Sequence, residues 1–413
     1  MRQQITPESW LQLSQLSTVN WRQIVTLAKE HMVASLLYTR IQQHDLAHIV
    51  PAAELDRLQH AQHRTALCNL RLYHQLQQIV VRAKHEQIVV MLLKGAHLAA
   101  AVYPTMDQRT MTDLELLVKP DQLPAFVKLL QELGYKPSTP LAAYETYLRS
   151  GGHHLPRFVK VHAPSVEVHW SLHDRDEPHS LDVEELWERA QICSIQDESV
   201  IGLSPEDLLI HVALHATNRH LLRQGIGLLC DVDAIVRHHD RSAQTLGAEE
   251  PQFDWATVVA RAKACGGERG LFLALFLAER LLGTPIPPSL SAALGAPAID
   301  ERSLQDILAH LFVDNRAALR AQSGNAQRLS AQAHPLAKVH YLWRRLFVPR
   351  EQLALTYQIR ENSSWLYLYY GKRFKDLVTG YLKTRDQMQQ TEPFLRDVAL
   401  QQVTILRWLE GAN

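Results

Sequence analysis

The spacing of apolar residues changes twice along this chain of 413 residues. Up to about residue 86, apolar side chains recur every three to four positions, and Ala52 to Lys84 is predicted as one long amphipathic helix. Short β-branched runs dominate the next stretch, and the helical period returns after Ser204. This order predicts an α+β fold with three parts: an N-terminal helical segment (1–86), a small mixed β-sheet core (87–202) and a C-terminal helical domain (203–413).

The core region begins with two strand candidates, each followed by a helix candidate. Ile88 to Leu93 is a short apolar run that ends in a turn, as expected of a buried strand, and residues 96–102 follow as a short helix. Asp113 to Val118 is the second strand, and residues 123–133 form the next helix. The pattern is therefore strand, helix, strand, helix.

A β-hairpin is predicted next. Two strand-like runs, Arg157 to His162 and Val166 to Trp170, flank the turn-forming segment Ala163-Pro164-Ser165. In the helical half, the polar or proline-containing stretches are predicted as loops: Asp240–Pro251, Pro285–Pro288 and Ala321–Pro335.

Composition limits the classes of function. Lys plus Arg and Asp plus Glu both total 43, so no overall charge attracts a nucleic acid or an anionic membrane. The 4 cysteines form no CxxC pair, which favours a reducing, cytoplasmic setting. No apolar run is long enough to span a membrane, and the N-terminus does not resemble an export signal. We expect no nucleic-acid partner and no membrane partner.

Acidic side chains recur at alternate positions on two predicted strands. Alternation places Asp113 and Glu115 on one strand face, and it places Glu167 and His169 together on the hairpin strand. Hard divalent cations such as Mg²⁺ prefer oxygen ligands and are usually held by one or two carboxylates plus substrate phosphates. The three acids therefore predict a metal site. For His169, a hydrogen bond at the edge of the sheet is the favoured interpretation.

Candidate phosphate-binding residues precede the acids. Lys94-Gly95-Ala96 lies where an apolar strand passes into a helix, so free backbone N–H groups and the helix dipole favour an anion there. Arg109 has a guanidinium group suited to a polyphosphate. A solvated Lys94 and a surface ion pair of Arg109 remain alternatives.

Together these motifs resemble the nucleotidyltransferase superfamily of the DNA polymerase β-like fold, and most closely its bacterial branch of uncharacterised nucleotidyltransferases. The resemblance covers most of residues 20–285 and rests on short segments: Leu92 to Ala96, Tyr103-Pro104, Arg109, Asp113 to Val118, Leu133 to Tyr135, Val166 to Trp170, Ser204 to His215 and Leu229 to Val232.

The resemblance implies metal-dependent transfer of a nucleoside monophosphate from a nucleoside triphosphate to an acceptor hydroxyl, with release of pyrophosphate. Asp113 and Glu115 match the paired metal ligands of the superfamily, and Glu167 matches its third acid. The implied cofactor is Mg²⁺ or Mn²⁺, the implied substrate is an NTP, and we expect a small-molecule or protein acceptor.

Two other functions stay open. The superfamily usually has Gly-Ser where this chain has Gly95-Ala96, so an inactive member that binds a nucleotide or a partner is one alternative. His211 and His215 lie one helical turn apart and could form a metal phosphohydrolase site with Asp231 and Asp233. The helix lacks the Glu of an HExxH motif, so packing is the favoured role of these histidines.

Overall fold

A computed structural model describes residues 20–175, 177, 179–195, 198–245, 253–313, 335–360, 363–390 and 393–411. Within these ranges the chain combines many helices with one sheet of seven strands, which confirms the α+β class. The strands are β1 Val90–Leu92, β2 Asp113–Val118, β3 Lys136–Pro137, β4 Phe158–Val159, β5 Ser165–His169, β6 Gln191–Ile195 and β7 Glu198–Gly202.

Helices account for most of the remaining described residues. In chain order they are α1 Trp21–Glu30, α2 Ala34–Gln43, α3 Ala52–His85, α4 Lys94–His97, α5 Leu123–Glu132, α6 Tyr144–Ser150, α7 Val183–Glu188, α8 Pro205–Leu214, α9 Gly227–Thr245, α10 Trp255–Ala264, α11 Glu268–Leu282, α12 Leu290–Leu294, α13 Glu301–Leu311, α14 Pro335–Leu346, α15 Arg350–Tyr357, α16 Leu366–Gln390 and α17 Pro393–Glu410. Short π-helical turns follow α4 and α8, and 3₁₀ turns cover Leu46–Ile49 and Pro120–Gln122. No described helix has the length and apolar character needed to cross a membrane.

The sheet has the order β3-β4-β5-β2-β1-β7-β6. Strand β2 is central, with β1 antiparallel on one side and β5 parallel on the other. The outer strand pairs β3/β4 and β6/β7 are antiparallel. Because β2 and β5 run in the same direction, side chains at paired positions lie next to each other on the same face.

The two faces of the sheet pack against different helices. Leu114, Leu116 and Val118 of β2 are buried in a core that includes residues of α3 and α5. Leu117 points to the other face, where it joins a second core built largely from α8, α9 and α11. Asp113 and Glu115 share the parity of Leu117, so they lie on the face that is turned toward the helical half.

The structure changes some of the predicted boundaries. The predicted hairpin forms, but its first strand, β4, has only two residues. Phe158 pairs with Val166, so the turn is centred on His162, which has a left-handed φ of 58°, and not on the predicted Ala163-Pro164-Ser165. The prediction of a loop is wrong for residues 240–245, because α9 continues to Thr245. The predicted break at Pro285–Pro288 is confirmed.

Some predicted features lie outside the described residues: positions 246–251 and 321–334 of the two other loops. The strand pair β6/β7 was not singled out in the sequence, although it falls inside the predicted core region. The three-part division of the chain stays a prediction.

Candidate active site

A cleft of about 480 Å³ opens beside the acidic face of the sheet. One wall comes from β2, β5 and the residues around them, and we call it the strand wall: Lys94, Gly95, Arg109, Asp113, Glu115, Arg157, Glu167 and His169. The opposite wall comes from α8, the π-helical turn after it and α9, and we call it the helical wall: Val212, His215, Arg219, His220, Cys230 and Asp231. The turn between α1 and α2 closes one side.

The register of β2 and β5 brings the acidic residues together. Glu115 is directly paired with Glu167, and Asp113 is paired with Ser165. The structure therefore places all three predicted acids on one face of neighbouring strands, as alternation along each strand predicts. Asp113 lies at the start of β2, where its carboxylate accepts a hydrogen bond of 3.1 Å from the Thr112 hydroxyl.

Among the described residues, one group of three side chains is arranged like a metal site. Ligand atoms of Glu115, Glu167 and His169 all lie within 4.8 Å of one another. Two ligands at about 2.1 Å from one ion are at most about 4.2 Å apart, so this donor set fits a divalent cation after a small movement. Asp113 is not part of this group and lies at its outer end.

Two basic side chains contact the acids. The Nζ of Lys94 lies 3.0 Å from Oε1 and 2.8 Å from Oε2 of Glu115. Arg157 donates to Glu167 and reaches Asp113 at 3.5 Å. Lys94 was predicted to lie here, whereas Arg157 was missed.

The electrostatics of the site follow from burial and from these contacts. Burial, with the charges of Glu115 and Glu167, raises the pKa of Asp113. Burial also raises the pKa of Glu115, but Lys94 and His169 outweigh it, so the net pKa is lowered. The nearby His169 imidazole and the Arg157 guanidinium hold the pKa of Glu167 well below its usual range. Glu115 and Glu167 are therefore anionic at neutral pH.

Arg109 lies in a buried ion pair at the junction of the two walls. Its Nε and Nη2 each donate to a different carboxylate oxygen of Asp231 at 2.9 Å, and the Tyr103 hydroxyl donates to the same carboxylate at 2.9 Å. The third nitrogen, Nη1, lies against Gly95, where an added Cβ would be only 2.7 Å away. Gly95 thus makes room for the guanidinium. Asp231 had been considered only as a metal ligand of the alternative phosphohydrolase site.

The model of the family described as "Uncharacterised nucleotidyltransferase" matches residues 17–283, which is more than half of the chain. The chain belongs to this nucleotidyltransferase family. The match confirms the resemblance drawn from the sequence, and it supports a nucleotidyltransferase function in general terms. A search of curated proteins finds no significant match.

Histidines cluster at the helical wall of this nucleotidyltransferase: His215 and His220 line the cleft, and His173 and His211 are buried beside them. The rings of His173, His211, His215 and His220 follow one another with centroids 4.3–6.2 Å apart, and Nε2 of His215 lies 3.0 Å from Nε2 of His220. Burial lowers the pKa of His211 and His215 well below the usual range, and that of His220 to about 4. His211, His215 and His220 are therefore neutral at pH 7.

The residues of the phosphohydrolase hypothesis do not form a metal site. Asp231 binds Arg109, while Asp233 accepts hydrogen bonds from Arg237 and Thr284, each at 2.7 Å. Neither His211 nor His215 belongs to a group of three close ligand atoms within the described ranges. His211 is buried in α8, which agrees with the packing role favoured for it, whereas His215 is half-buried and lines the cleft.

Proposed function

We propose that this protein is a metal-dependent nucleotidyltransferase that moves an NMP from an NTP to a hydroxyl of a small-molecule or protein acceptor. The observation that carries the proposal is the register pairing of Glu115 with Glu167 beside a cleft that also contains Lys94, Gly95 and Arg109. Carboxylates on neighbouring strands with cationic groups at one rim suit a metal–triphosphate complex.

The three acids have distinct positions for this chemistry. Asp113 and Glu115 would hold the ion that accompanies the triphosphate, and Glu167 would help to hold the ion at the reacting phosphate. When bound, Mg²⁺ or Mn²⁺ would neutralise charge on the phosphates and favour deprotonation of the acceptor hydroxyl. The acceptor oxygen would then form a bond to the α-phosphorus of the NTP. The bond between that phosphorus and the oxygen that bridges the α- and β-phosphates would break, and pyrophosphate would leave.

Lys94, Gly95, Ala96 and Arg109 would bind the triphosphate. The backbone N–H groups of Gly95 and Ala96 are the proposed main-chain donors, and Lys94 and Arg109 would offset negative charge as pyrophosphate forms. Asp231 occupies two nitrogens of Arg109, so only Nη1 is directed to the Gly95 side. Catalysis of this kind depends mainly on positioning and electrostatics.

The experiment incubates the protein with each α-labelled NTP, Mg²⁺ or Mn²⁺, and host lysate. We expect one fraction to become labelled, and we expect Glu167→Gln to lower the rate by about two to four orders of magnitude while nucleotide binding is largely kept. Glu198→Gln is the matched control, since Glu198 is also a strand glutamate with a basic partner, Lys84, but does not line the cleft. Unchanged labelling by Glu167→Gln would remove Glu167 from the mechanism.

A catalytically inactive, nucleotide-binding member is the second candidate. Lys94 and Arg157 contact all three acids, and Gly95-Ala96 lacks the hydroxyl of Gly-Ser. Metal-dependent NTP binding without any labelled product would support this candidate over the first.

A further inference from the structure

We propose that His169, together with Glu115 and Glu167, is a direct ligand of the divalent ion at the reacting phosphate, and that this ion is Mn²⁺ or a similar first-row transition metal in preference to Mg²⁺. The inference deepens the proposed function and rests on it, because it concerns the ion that Glu167 is proposed there to hold. It replaces the interpretation of His169 as a histidine that hydrogen bonds at the edge of the sheet.

The surroundings of His169 do not fit that structural role. Strand β5 lies between β4 and β2, so His169 is not on an edge strand. Its side chain is only 5% exposed, yet neither ring nitrogen has a partner within hydrogen-bond distance, since the contact of Nε2 with Oε2 of Glu167 is 3.7 Å long. A buried polar group without a hydrogen bond destabilises the folded state, so a bound ligand is one reason for such a group to be present.

The two neighbouring histidines show the contrast. The rings of His153 and His154 lie 5.5 and 5.3 Å from the His169 ring, measured between centroids. His153 contacts Asp174 through Nδ1 at 2.6 Å, and Nδ1 of His154 lies 2.7 Å from the Leu155 carbonyl oxygen. Both of these rings have protein partners, whereas His169 does not.

The position of the His169 ring is suited to binding an ion together with the neighbouring carboxylates. Its Nε2 lies 3.7 Å from Oε2 of Glu167, and a ring nitrogen belongs to the ligand group with Glu115 and Glu167. A single ion among these three side chains would be bound by two carboxylates and one imidazole, and it would satisfy the unpartnered nitrogen.

This donor set has a predictable preference among metals. Mg²⁺ demands octahedral oxygen ligands and loses its waters reluctantly. Imidazole is a better ligand for first-row transition ions, and Mn²⁺ also accepts carboxylates readily. Replacing one oxygen ligand by a ring nitrogen therefore favours Mn²⁺ over Mg²⁺ at this site.

The test uses the full chain, with its histidines labelled with ¹⁵N, and Mn²⁺ alone as the probe. Pulsed EPR detects a nitrogen bonded to Mn²⁺, and the isotope identifies that nitrogen as one of histidine. We expect ¹⁵N coupling in the parent protein, its loss in His169→Gln, and its retention in His154→Gln. Titrations should show Mn²⁺ binding about tenfold or more tighter than Mg²⁺ in the parent, and a ratio closer to one in His169→Gln.

The outcomes separate the two proposals. Bound Mn²⁺ without histidine coupling, or coupling that survives His169→Gln, overturns the assignment of His169 and leaves the carboxylate site standing. No divalent ion bound in the presence or absence of NTP overturns the proposed metal-dependent function itself. If thermal unfolding shows that His169→Gln is not folded, the presence or absence of coupling in the parent decides, because no other described histidine belongs to the ligand group.

Discussion

The two walls of the cleft differ in the charge of their titratable side chains. The strand wall carries Glu115 and Glu167 as anions, and basic side chains contact both of them. On the helical wall, His215 and His220 are neutral at pH 7, because partial burial lowers their pKa. Paired charges can exchange partners when a metal and a triphosphate arrive, whereas the neutral rings of the helical wall carry no charge that could pair with a phosphate. The difference supports our proposal that the phosphate chemistry takes place at the strand wall.

The largest expected effect is on the strand wall. Asp113→Asn should abolish transfer with little loss of stability, because it removes a metal-binding charge at nearly constant volume from a half-buried position. Transfer assays and thermal unfolding of the same preparation test this. Retained activity together with a drop in Tm like that of a core mutation would make Asp113 structural.

The next largest effect is expected at the Arg109–Asp231 ion pair, where the two walls meet. Asp231→Ala leaves the half-buried Arg109 without its carboxylate partner, and we expect a loss of about 1–3 kcal/mol in the free energy of unfolding, measured by denaturant titration. Arg109→Ala should weaken triphosphate binding by about 1–3 kcal/mol as well.

A double variant separates the structural role of the pair from its role in binding. Arg109→Met with Asp231→Leu replaces the ion pair by apolar groups and should recover most of the stability but not the nucleotide affinity. Equal NTP affinity in the double variant and the parent would reduce Arg109 to a structural residue.

The stability of the protein should depend on pH through His220 of the helical wall. His220 has a folded-state pKa of about 4, below its unfolded value of 6.5, so the unfolded state binds more protons between these values. Stability is therefore kept above about pH 6.5 and falls as the pH drops toward 4, by at most about 3 kcal/mol for this residue. Denaturant titrations at several pH values in this range should show that the free energy of unfolding depends less on pH in His220→Gln than in the parent. The same pH dependence in both proteins would mean that the folded protein does not keep His220 neutral.

The smallest effect concerns salt and nucleic acid. The basic stretch Arg344 to Lys375 lies on α14, α15 and α16, and it contributes none of the described residues that line the cleft. We expect activity on the true acceptor to change only modestly between low and physiological salt, and tRNA or single-stranded DNA neither to compete nor to become labelled. Efficient labelling of a tRNA 3′ end would contradict a small-molecule or protein acceptor.

The sequence predicted what depends on local periodicity. Alternation along a strand was enough to place Asp113 with Glu115 and Glu167 with His169, and helical spacing gave α3 within one residue of its observed end. Contacts between distant segments could not be read in this way. The Arg109–Asp231 pair joins residues 122 positions apart, so only the packing of α9 against the sheet reveals it.

The role proposed for His169 could not be predicted from the sequence, for a different reason. A histidine at an alternate strand position is compatible with a hydrogen bond or with a metal ligand, and the observation that favours the second, buried nitrogens without a hydrogen bond, comes from the structure. Arg157 was missed because a basic residue at the start of a hairpin strand is ordinary. Its contact with Glu167 depends on the register of β4 and β5.

The most direct test of the central claim compares transfer from α-labelled and γ-labelled NTP in parallel reactions with the same metal, acceptor fraction and protein. Nucleotidyl transfer predicts that the α-label enters the acceptor and that the γ-label appears in pyrophosphate, and both depend on Glu167. Entry of the γ-label into the acceptor would instead show phosphoryl transfer and would contradict the assignment of the strand wall to nucleotidyl chemistry.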